Sequence, residues 1–216
     1  EWNACTRELG TEWEMLRVGI KPYPACHLVH SCADATKIIM DKHDLGPEDI
    51  LSIKARVADD CMSVVCYPIE RKRRPLNGYE AQFSVPYAIA SIVAKGQLTL
   101  AELEPEVFTD PKVLEQCDKV LCESDPKSAY PEYFSGEVTI ITTDGKEVSC
   151  REQVNRGADS RPLSSADIVA KFRSNAELLD SKEHCNTILE AVMDLDSNVA
   201  PEHLANLLSG FSSMER

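Results

Sequence analysis

The most constraining feature of this sequence is an Asp-Gly pair between two alternating segments. Residues 137–142 (Glu-Val-Thr-Ile-Ile-Thr) and 147–150 (Glu-Val-Ser-Cys) flank Asp144-Gly145. Such a pair between alternating runs is a strong signal for a β-hairpin. Residues 50–57 also alternate between apolar and polar side chains, and we predict that this segment joins the hairpin in an antiparallel sheet.

Helical patterns lie on either side of the segment 50–57. We predict a helix over residues 30–43, in which Ala35, Ile38 and Ile39 form an apolar stripe. A second helix is predicted over 84–95, where Gly96 ends it, and a short third helix over 111–120.

After position 161 the sequence shows helical patterns in place of strand patterns. Ser164 and Asp167 have the spacing of a capping box, which indicates the start of a helix. Three amphipathic patterns follow, the last of which begins at Pro201 and uses Leu204, Leu207, Leu208 and Phe211. We find no strand pattern beyond residue 152, so this part is predicted to be helical.

These patterns together predict an α+β fold, in which a small antiparallel sheet carries helices on one face and is followed by C-terminal helices. We divide the chain into a connecting segment (1–19), an α+β domain (20–155) and C-terminal helices (156–216). The last helices need an apolar partner, which is either a face of the sheet or other helices outside this chain.

The formal net charge of −13 excludes some classes of partner. Nucleic acids and anionic membranes both need a basic face, so we expect neither as a partner. A small anionic substrate is compatible with an acidic protein that has a local basic pocket. The one basic cluster, residues 71–75, is either a solvated loop or a rim that attracts polycarboxylates.

Nine cysteines are scattered through the chain in an odd number. This indicates reduced thiols in a cytoplasmic or mitochondrial-matrix protein. The pairs Cys61/Cys66 and Cys117/Cys122 lack the spacing of a zinc site, so we interpret them as small buried hydrophobic residues and predict no metal. No apolar run approaches the length of a membrane span, and no secretory signal opens the chain.

Candidate chemistry is confined to two segments, since the sequence has no nucleophile elbow, P-loop, Rossmann glycine triplet or H-E-x-x-H. The first runs from Lys21 to His30 and the second from Phe83 to Tyr87. On spacing alone, a lysine before a proline turn is usually exposed and a histidine that opens a helix is often a cap or a packing residue.

Three ordered motifs resemble the MmgE/PrpD family. Lys21-Pro-Tyr-Pro-Ala-Cys26, with His30 and Asp34-Ala35, is similar to the family's "KPYP(A/S)C…H…DA". Glu80-Ala-Gln-Phe-Ser-Val-Pro-Tyr-Ala-Ile-Ala90 resembles "EAKFSLPYAVA". Arg156-Gly157, Pro162-Leu-Ser164 and Lys171-Phe172 resemble the closing "RG…PLS…KF". The three matches occur in the family's order and cover nearly the whole chain.

The resemblance implies a C-terminal half. Members of the family are about twice as long, with a large helical domain that is built from the N-terminal half together with the C-terminal helices. Their active site lies between the two domains, and a catalytic Asp and His come from the half that is not in this chain. The resemblance also implies a homodimer or pairing with an N-terminal helical half, and no cofactor.

The resemblance assigns catalytic roles to three residues. Lys21 would bind a substrate carboxylate and stabilise negative charge on it during the reaction. Tyr87 would donate a hydrogen bond or relay a proton, and His30 would orient the Lys21 loop or donate to the substrate. Asp34 is expected at a helix N-terminus, where the dipole favours a carboxylate, rather than in catalysis.

Three further residues are candidates for substrate binding: Cys26, Gln82 and Ser84. The family often has Lys where this chain has Gln82, so a second cationic anchor is not supported at that position.

The predicted function is that of a lyase on a small tricarboxylate, by dehydration of 2-methylcitrate or decarboxylation of cis-aconitate, with no activity expected from this portion alone. Two alternatives remain open. One is epimerisation of an imino-dicarboxylate, and the other is a non-catalytic split subunit or interaction domain that needs a helical partner.

Overall fold

The computed structural model describes residues 6–195 and 200–209. These residues fall into two compact units that are divided between Leu163 and Ser164, and each unit is described by itself. The described helices, in chain order, are α1 (His27–His43), α2 (Asp59–Val65), α3 (Ile69–Arg73), α4 (Gly78–Ala81), α5 (Val85–Lys95), α6 (Pro105–Phe108), α7 (Pro111–Asp118), α8 (Ser165–Ala176), α9 (Lys182–Met193) and α10 (Pro201–Ser209). Short 3-10 turns lie at Glu14–Arg17, Pro47–Asp49 and Ala101–Leu103.

The first unit contains a four-stranded mixed sheet. Its strands are β1 (Ile50–Val57), β2 (Val120–Ser124), β3 (Gly136–Thr142) and β4 (Glu147–Glu152), in the order β2-β1-β3-β4. Strand β3 pairs antiparallel with both β1 and β4, which confirms the predicted sheet and hairpin. Strand β2 was not predicted, and it pairs parallel with β1.

The backbone conformation of the hairpin turn explains why the sequence has Asp-Gly at this position. Gly145 has a φ of +86°, a conformation that glycine adopts without steric cost. The side chain of Thr142 donates a hydrogen bond to the Asp144 carboxylate, which fixes the turn from the other side. Beyond the turn, Val138 and Ile140 are fully buried on the inner face of the sheet.

Two long helices, α1 and α5, pack against each other, and α1 also contacts β3 and β4. The α+β fold with helices on the sheet is therefore as predicted. Helix α1 begins at His27 rather than at position 30, and it ends at His43 before Asp44, which has a φ of +51°. Ala35 and Ile39 are buried as expected, whereas Ile38 is 39% exposed and does not belong to the buried stripe.

The other predicted boundaries in this unit are close to those observed. Helix α5 begins after the N-cap Ser84 and ends before Gly96, whose φ is +75°. Helix α7 ends at Asp118, two positions before the predicted end, because β2 begins at Val120.

The basic cluster at residues 71–75 forms part of the folded structure. Arg71 pairs with Glu80 at 2.6 Å, and Arg74 pairs with Asp118 at 2.6 Å. Because these guanidinium groups already have carboxylate partners, the cluster is neither a simple solvated loop nor an unpaired basic rim.

The second unit consists of α8, α9 and α10. Ser164 caps α8 as predicted: its hydroxyl accepts from the Asp167 N–H at 3.1 Å, and the Asp167 carboxylate accepts from the Ser164 N–H at 3.1 Å. Helices α8 and α9 line an apolar groove of about 250 Å³, formed by Ser165, Ile168, Val169, Phe172, Leu189, Val192 and Met193. Phe211, which the sequence pattern assigned to the last helix, lies outside the described residues. Every helix in the described part of the chain is too short or too polar to cross a membrane.

Candidate functional site

The segment from Lys21 to Cys26 is a loop that leads into α1. Proline at positions 22 and 24 prevents a regular helix here because its ring fixes φ and removes the backbone donor. The loop is held at both ends by backbone hydrogen bonds. The Ile20 N–H donates to the Gly157 carbonyl at 2.8 Å, and the Cys26 N–H donates to the Gln82 carbonyl at 2.9 Å.

All three motifs of the sequence therefore meet at this loop. The second motif reaches it through the backbone of Gln82, and the third through Gly157. Gly157 has a φ of +87°, and a Cβ atom at this position would lie 1.9 Å from the Ile20 carbonyl oxygen. Only glycine fits at such a distance, which gives a physical reason for the Arg-Gly pair of the third motif.

Lys21 is exposed, and its position is fixed by the loop itself. Its ammonium donates to the Ala25 carbonyl oxygen at 3.2 Å. The same oxygen lies 3.2 Å from His30 Nε2, so His30 carries its proton on Nε2 when it donates this bond. Lys21 and His30 are thus brought together through one shared backbone oxygen.

His30 is completely buried, and its Nδ1 has no hydrogen-bond partner among the described residues. Burial, followed by the nearby His27, lowers the pKa of His30 to about 3. His30 is therefore neutral at pH 7. This placement fits the orienting role that the resemblance offered for His30, since a neutral ring that donates to Ala25 supports the Lys21 loop.

A second imidazole, His27, lies beside His30. The two ring centroids are 4.8 Å apart, and the His27 ring stacks on Phe134 at 4.9 Å with an interplanar angle of 19°. His27 Nε2 is buried without a partner in the described part of the chain. Burial and, second, the positive charge of Lys21 lower the pKa of His27.

A buried polar network supports the other side of the loop. Tyr23 donates to the Asp34 carboxylate at 2.6 Å, and the Arg156 guanidinium contacts the same carboxylate at 3.1 Å. Burial, followed by the charge of Asp34, raises the pKa of the Tyr23 hydroxyl, so it stays protonated. Asp34 is not at a helix N-terminus as expected, because α1 starts at His27 and Asp34 lies in its interior.

The side chains of the second motif face different partners. Tyr87 is fully buried, and its hydroxyl donates to the Glu102 carbonyl. The Ser84 hydroxyl donates to the Lys72 carbonyl at 2.5 Å and accepts from the Tyr87 N–H at 3.0 Å as the N-cap of α5. The second motif contacts the loop that carries Lys21 through the hydrogen bond between the Gln82 carbonyl and the Cys26 N–H. The roles assigned to Tyr87 and Ser84 stay predictions.

Cys26 is half-buried at the N-cap of α1, next to this cluster. All four cysteines with the C-x4-C spacing are free thiols. Cys61, Cys66 and Cys117 are buried as predicted, whereas Cys122 is half-buried. A hydrogen bond with Cys122, together with burial, raises the pKa of the Cys66 thiol. Among the described residues, no group of three or more His, Cys, Asp or Glu side chains is placed to hold a metal ion.

The arrangement combines one exposed ammonium with two neutral imidazoles that each have a buried nitrogen without a partner. An unpaired buried polar atom costs roughly 1–3 kcal/mol, so such atoms commonly mark a functional site. An ammonium on a loop that is held by three separate segments is suited to bind a small anion such as a carboxylate. The fold and site thus define an α+β domain with an exposed ammonium on a loop that is held by the backbone.

Comparison with known proteins identifies the family of the chain. The sequence model of the MmgE/PrpD C-terminal domain matches residues 23–196, and the chain therefore belongs to the MmgE/PrpD family. The chain is 27% identical to the cis-aconitate decarboxylase of Mus musculus over 185 residues, which cover 83% of this chain and 37% of the mouse protein.

Two further relatives are similar over a longer part of the chain. The human cis-aconitate decarboxylase is 26% identical over 205 residues, which cover 92% of this chain and 41% of that protein. A cis-aconitate decarboxylase-like protein of Aspergillus oryzae is 22% identical over 209 residues, or 95% of this chain and 43% of its own length. The chain spans less than half the length of the curated relatives that it matches.

Sequence reasoning missed three residues of this cluster: Tyr23, His27 and Arg156. Tyr23 and Arg156 stood inside quoted motifs, but nothing in the sequence indicated that they share the Asp34 carboxylate. His27 was overlooked because the helix was expected to begin at His30. A second histidine three positions before His30, on the same face of a helix, was the available signal.

Proposed function

We propose that this chain carries the carboxylate-binding loop of a lyase that decarboxylates a small tricarboxylate such as cis-aconitate. The observation that carries the proposal is the exposed Lys21 ammonium, which shares the Ala25 carbonyl oxygen with neutral His30. The names of the relatives favour decarboxylation over the dehydration of 2-methylcitrate and over epimerisation of an imino-dicarboxylate.

A cation beside the substrate assists decarboxylation. When the bond to the departing CO2 breaks, its electron pair remains on carbon and is delocalised toward a neighbouring carboxylate. An ammonium beside that carboxylate stabilises the charge as it develops, and it does so more strongly where water is excluded. In this proposal Lys21 is the catalytic residue, and His30 positions it through their shared contact with the Ala25 carbonyl.

The Tyr23–Asp34–Arg156 network has a structural part in the proposal. Arg156 already contacts a carboxylate that is 5% exposed, so it is not the group that we expect to bind substrate. Its position beside Gly157 instead holds the third motif against the loop. Further predictions for the same site are the roles of Tyr87, Cys26, Gln82 and Ser84. A homodimer, pairing with an N-terminal helical half and a cytoplasmic or mitochondrial-matrix location also remain predictions.

Binding of tricarballylate, a saturated tricarboxylate that does not react, tests the proposal by calorimetry. Lys21→Ala removes a charge-assisted interaction worth roughly 1.5–3 kcal/mol, so affinity should fall about ten- to a hundredfold. Lys37→Ala is the matched control, because Lys37 is an exposed lysine that pairs with Asp41 on the surface of α1. Equal affinity of the two variants would contradict the role of Lys21.

Turnover separates an enzyme from a non-catalytic subunit. Release of CO2 from cis-aconitate should be measured for the chain alone and after addition of an upstream helical half. Release that depends on Lys21 in either sample supports the lyase. Binding of tricarballylate without any CO2 release in both samples supports the non-catalytic alternative.

A further inference from the structure

His27 lies at the candidate site, although the family resemblance does not include it. It is the first residue of α1, one position after Cys26, and its ring contacts both His30 and Phe134. A histidine that only filled space would be expected to satisfy its nitrogens, but His27 Nε2 is buried without a partner among the described residues.

The groups around His27 are either neutral or positively charged. Lys21 approaches from the preceding loop, His30 lies on the same helix, and Phe134 belongs to the connection before β3. The carboxylate of the buried network, Asp34, is already engaged by Tyr23 and Arg156. No carboxylate in the described part of the chain is hydrogen bonded to His27.

Such a site changes its proton affinity when an anion arrives. The charge of Lys21 and the loss of water both oppose protonation of the imidazole. A bound carboxylate neutralises the ammonium and adds negative charge near the ring. Both effects favour the imidazolium, so binding of the anion and binding of a proton are coupled.

Decarboxylation of a tricarboxylate consumes one proton. The tricarboxylate trianion loses CO2, the electron pair of the broken bond stays on the remaining carbon skeleton as a delocalised carbanion, and a carbon of this carbanion then accepts a proton to give a dicarboxylate dianion. Charge and atoms balance as trianion plus proton giving dianion plus CO2. A residue that gains a proton when substrate binds can supply this proton without a separate encounter with solvent.

We infer that His27 is the proton-supplying residue of this site: it takes up a proton when a polycarboxylate binds at Lys21, and it gives that proton to the carbanion that remains when CO2 departs. This inference rests on the proposed function. It assigns the acid of the reaction to a residue of this chain, whereas His30, which is completely buried and donates to Ala25, stays a positioning residue.

The first experiment follows the His27 ring signal by NMR as a function of pH, in the free protein, in Lys21→Gln and with saturating tricarballylate. His27 should titrate below about 6.5 in the free protein, at higher pH in Lys21→Gln, and highest with tricarballylate. Calorimetry in buffers of different ionisation enthalpy should show proton uptake that approaches about one per ligand bound. The Lys21→Gln variant tests how the charge of Lys21 affects the pKa of His27, without any ligand and without a substitution at His27.

The second experiment compares His27→Phe with His43→Phe, a control at the other end of α1. Phenylalanine at position 27 retains a ring that can stack on Phe134. Tricarballylate affinity should fall near pH 7 and lose its dependence on pH, proton uptake should disappear, and CO2 release should fall by about a hundredfold or more. His43→Phe should leave all three unchanged.

The outcomes distinguish the inference from the function on which it rests. If tricarballylate binds and depends on Lys21 but the His27 titration does not move, the inference is overturned and the proposed function stands. If no tricarboxylate binds to the protein, both are overturned. If the His27→Phe protein does not fold, an unchanged His27 titration in Lys21→Gln still overturns the inference.

Discussion

Gly157 lies so close to Ile20 that the two residues are hydrogen bonded through their backbones and leave no space for a side chain. The Ile20 N–H donates to the Gly157 carbonyl at 2.8 Å, and a Cβ atom on residue 157 would lie 1.9 Å from the Ile20 carbonyl oxygen. Ile20 directly precedes Lys21. The third motif of the sequence therefore positions the start of the candidate anion-binding loop.

Gly157→Ala should destabilise the protein and displace the loop. The substitution combines backbone strain at a positive φ with a clash against a backbone oxygen, so the free energy of unfolding should fall by about 3 kcal/mol or more. Gly145→Ala is the matched control: Gly145 also has a positive φ of +86°, but its Cβ would meet nothing within 4 Å. It should cost only about 1–2 kcal/mol. Equal losses in urea unfolding would contradict the close approach at Gly157.

Asp34→Asn should destabilise the protein much more than the loss of a surface ion pair. Asp34 is buried and contacts both Tyr23 and Arg156, so its neutralisation removes the negative charge from a carboxylate that a partly buried guanidinium contacts. We expect a loss of roughly 2–4 kcal/mol. Asp41→Asn removes the exposed Lys37–Asp41 pair and should cost less than about 0.5 kcal/mol. Urea unfolding of both variants measures the difference, and similar small losses would show that the network contributes little.

Stability should decrease on acidification because His30 is buried in its neutral form. Its folded pKa is about 3, whereas an unfolded histidine titrates near 6.5, so the unfolded chain binds more protons between these values. The contribution of His30 is fully present above pH 6.5 and is lost as the pH falls toward 3, at roughly 1.4 kcal/mol per pH unit. His30→Gln should be less stable at pH 7, with a flatter dependence on pH. Parallel profiles for the two proteins, measured by urea unfolding from pH 7 to pH 4.5, would contradict this prediction.

Ser164→Ala should weaken the start of α8. The Ser164 hydroxyl accepts from the Asp167 N–H, and loss of such a cap costs about 1 kcal/mol. Hydrogen exchange of the amides at Asp167 and in the next turn should become faster, while exchange in β3 stays as in the parent protein. Unchanged protection in the first turn of α8 would show that the cap is not needed there.

Local signals predicted most of the fold. The Asp-Gly hairpin, β1 and the helix that ends at Gly96 were all visible in the sequence because turn residues and side-chain periodicity act over a few positions. Strand β2 was missed for a physical reason: it is a five-residue edge strand in which Leu121 is 54% exposed, so it lacks an alternating apolar pattern. Its parallel pairing with β1 depends on a connection that no local pattern encodes.

The candidate site was less predictable because distant contacts build it. The Arg156–Asp34 contact joins positions 122 residues apart, and each residue alone looks like an ordinary surface charge. The family resemblance selected Lys21 and His30 as candidates, but it could not show that they share the Ala25 carbonyl. It also could not show that His27 stacks on Phe134, since both contacts depend on how the loop enters α1.

A crystal structure of the protein with tricarballylate tests the central claim most directly. The account predicts a ligand carboxylate oxygen within about 2.7–3.2 Å of Lys21 Nζ, with the ligand against His27 at the start of α1. A ligand that binds elsewhere, or that binds here without a contact between one of its carboxylates and the Lys21 ammonium, would contradict it.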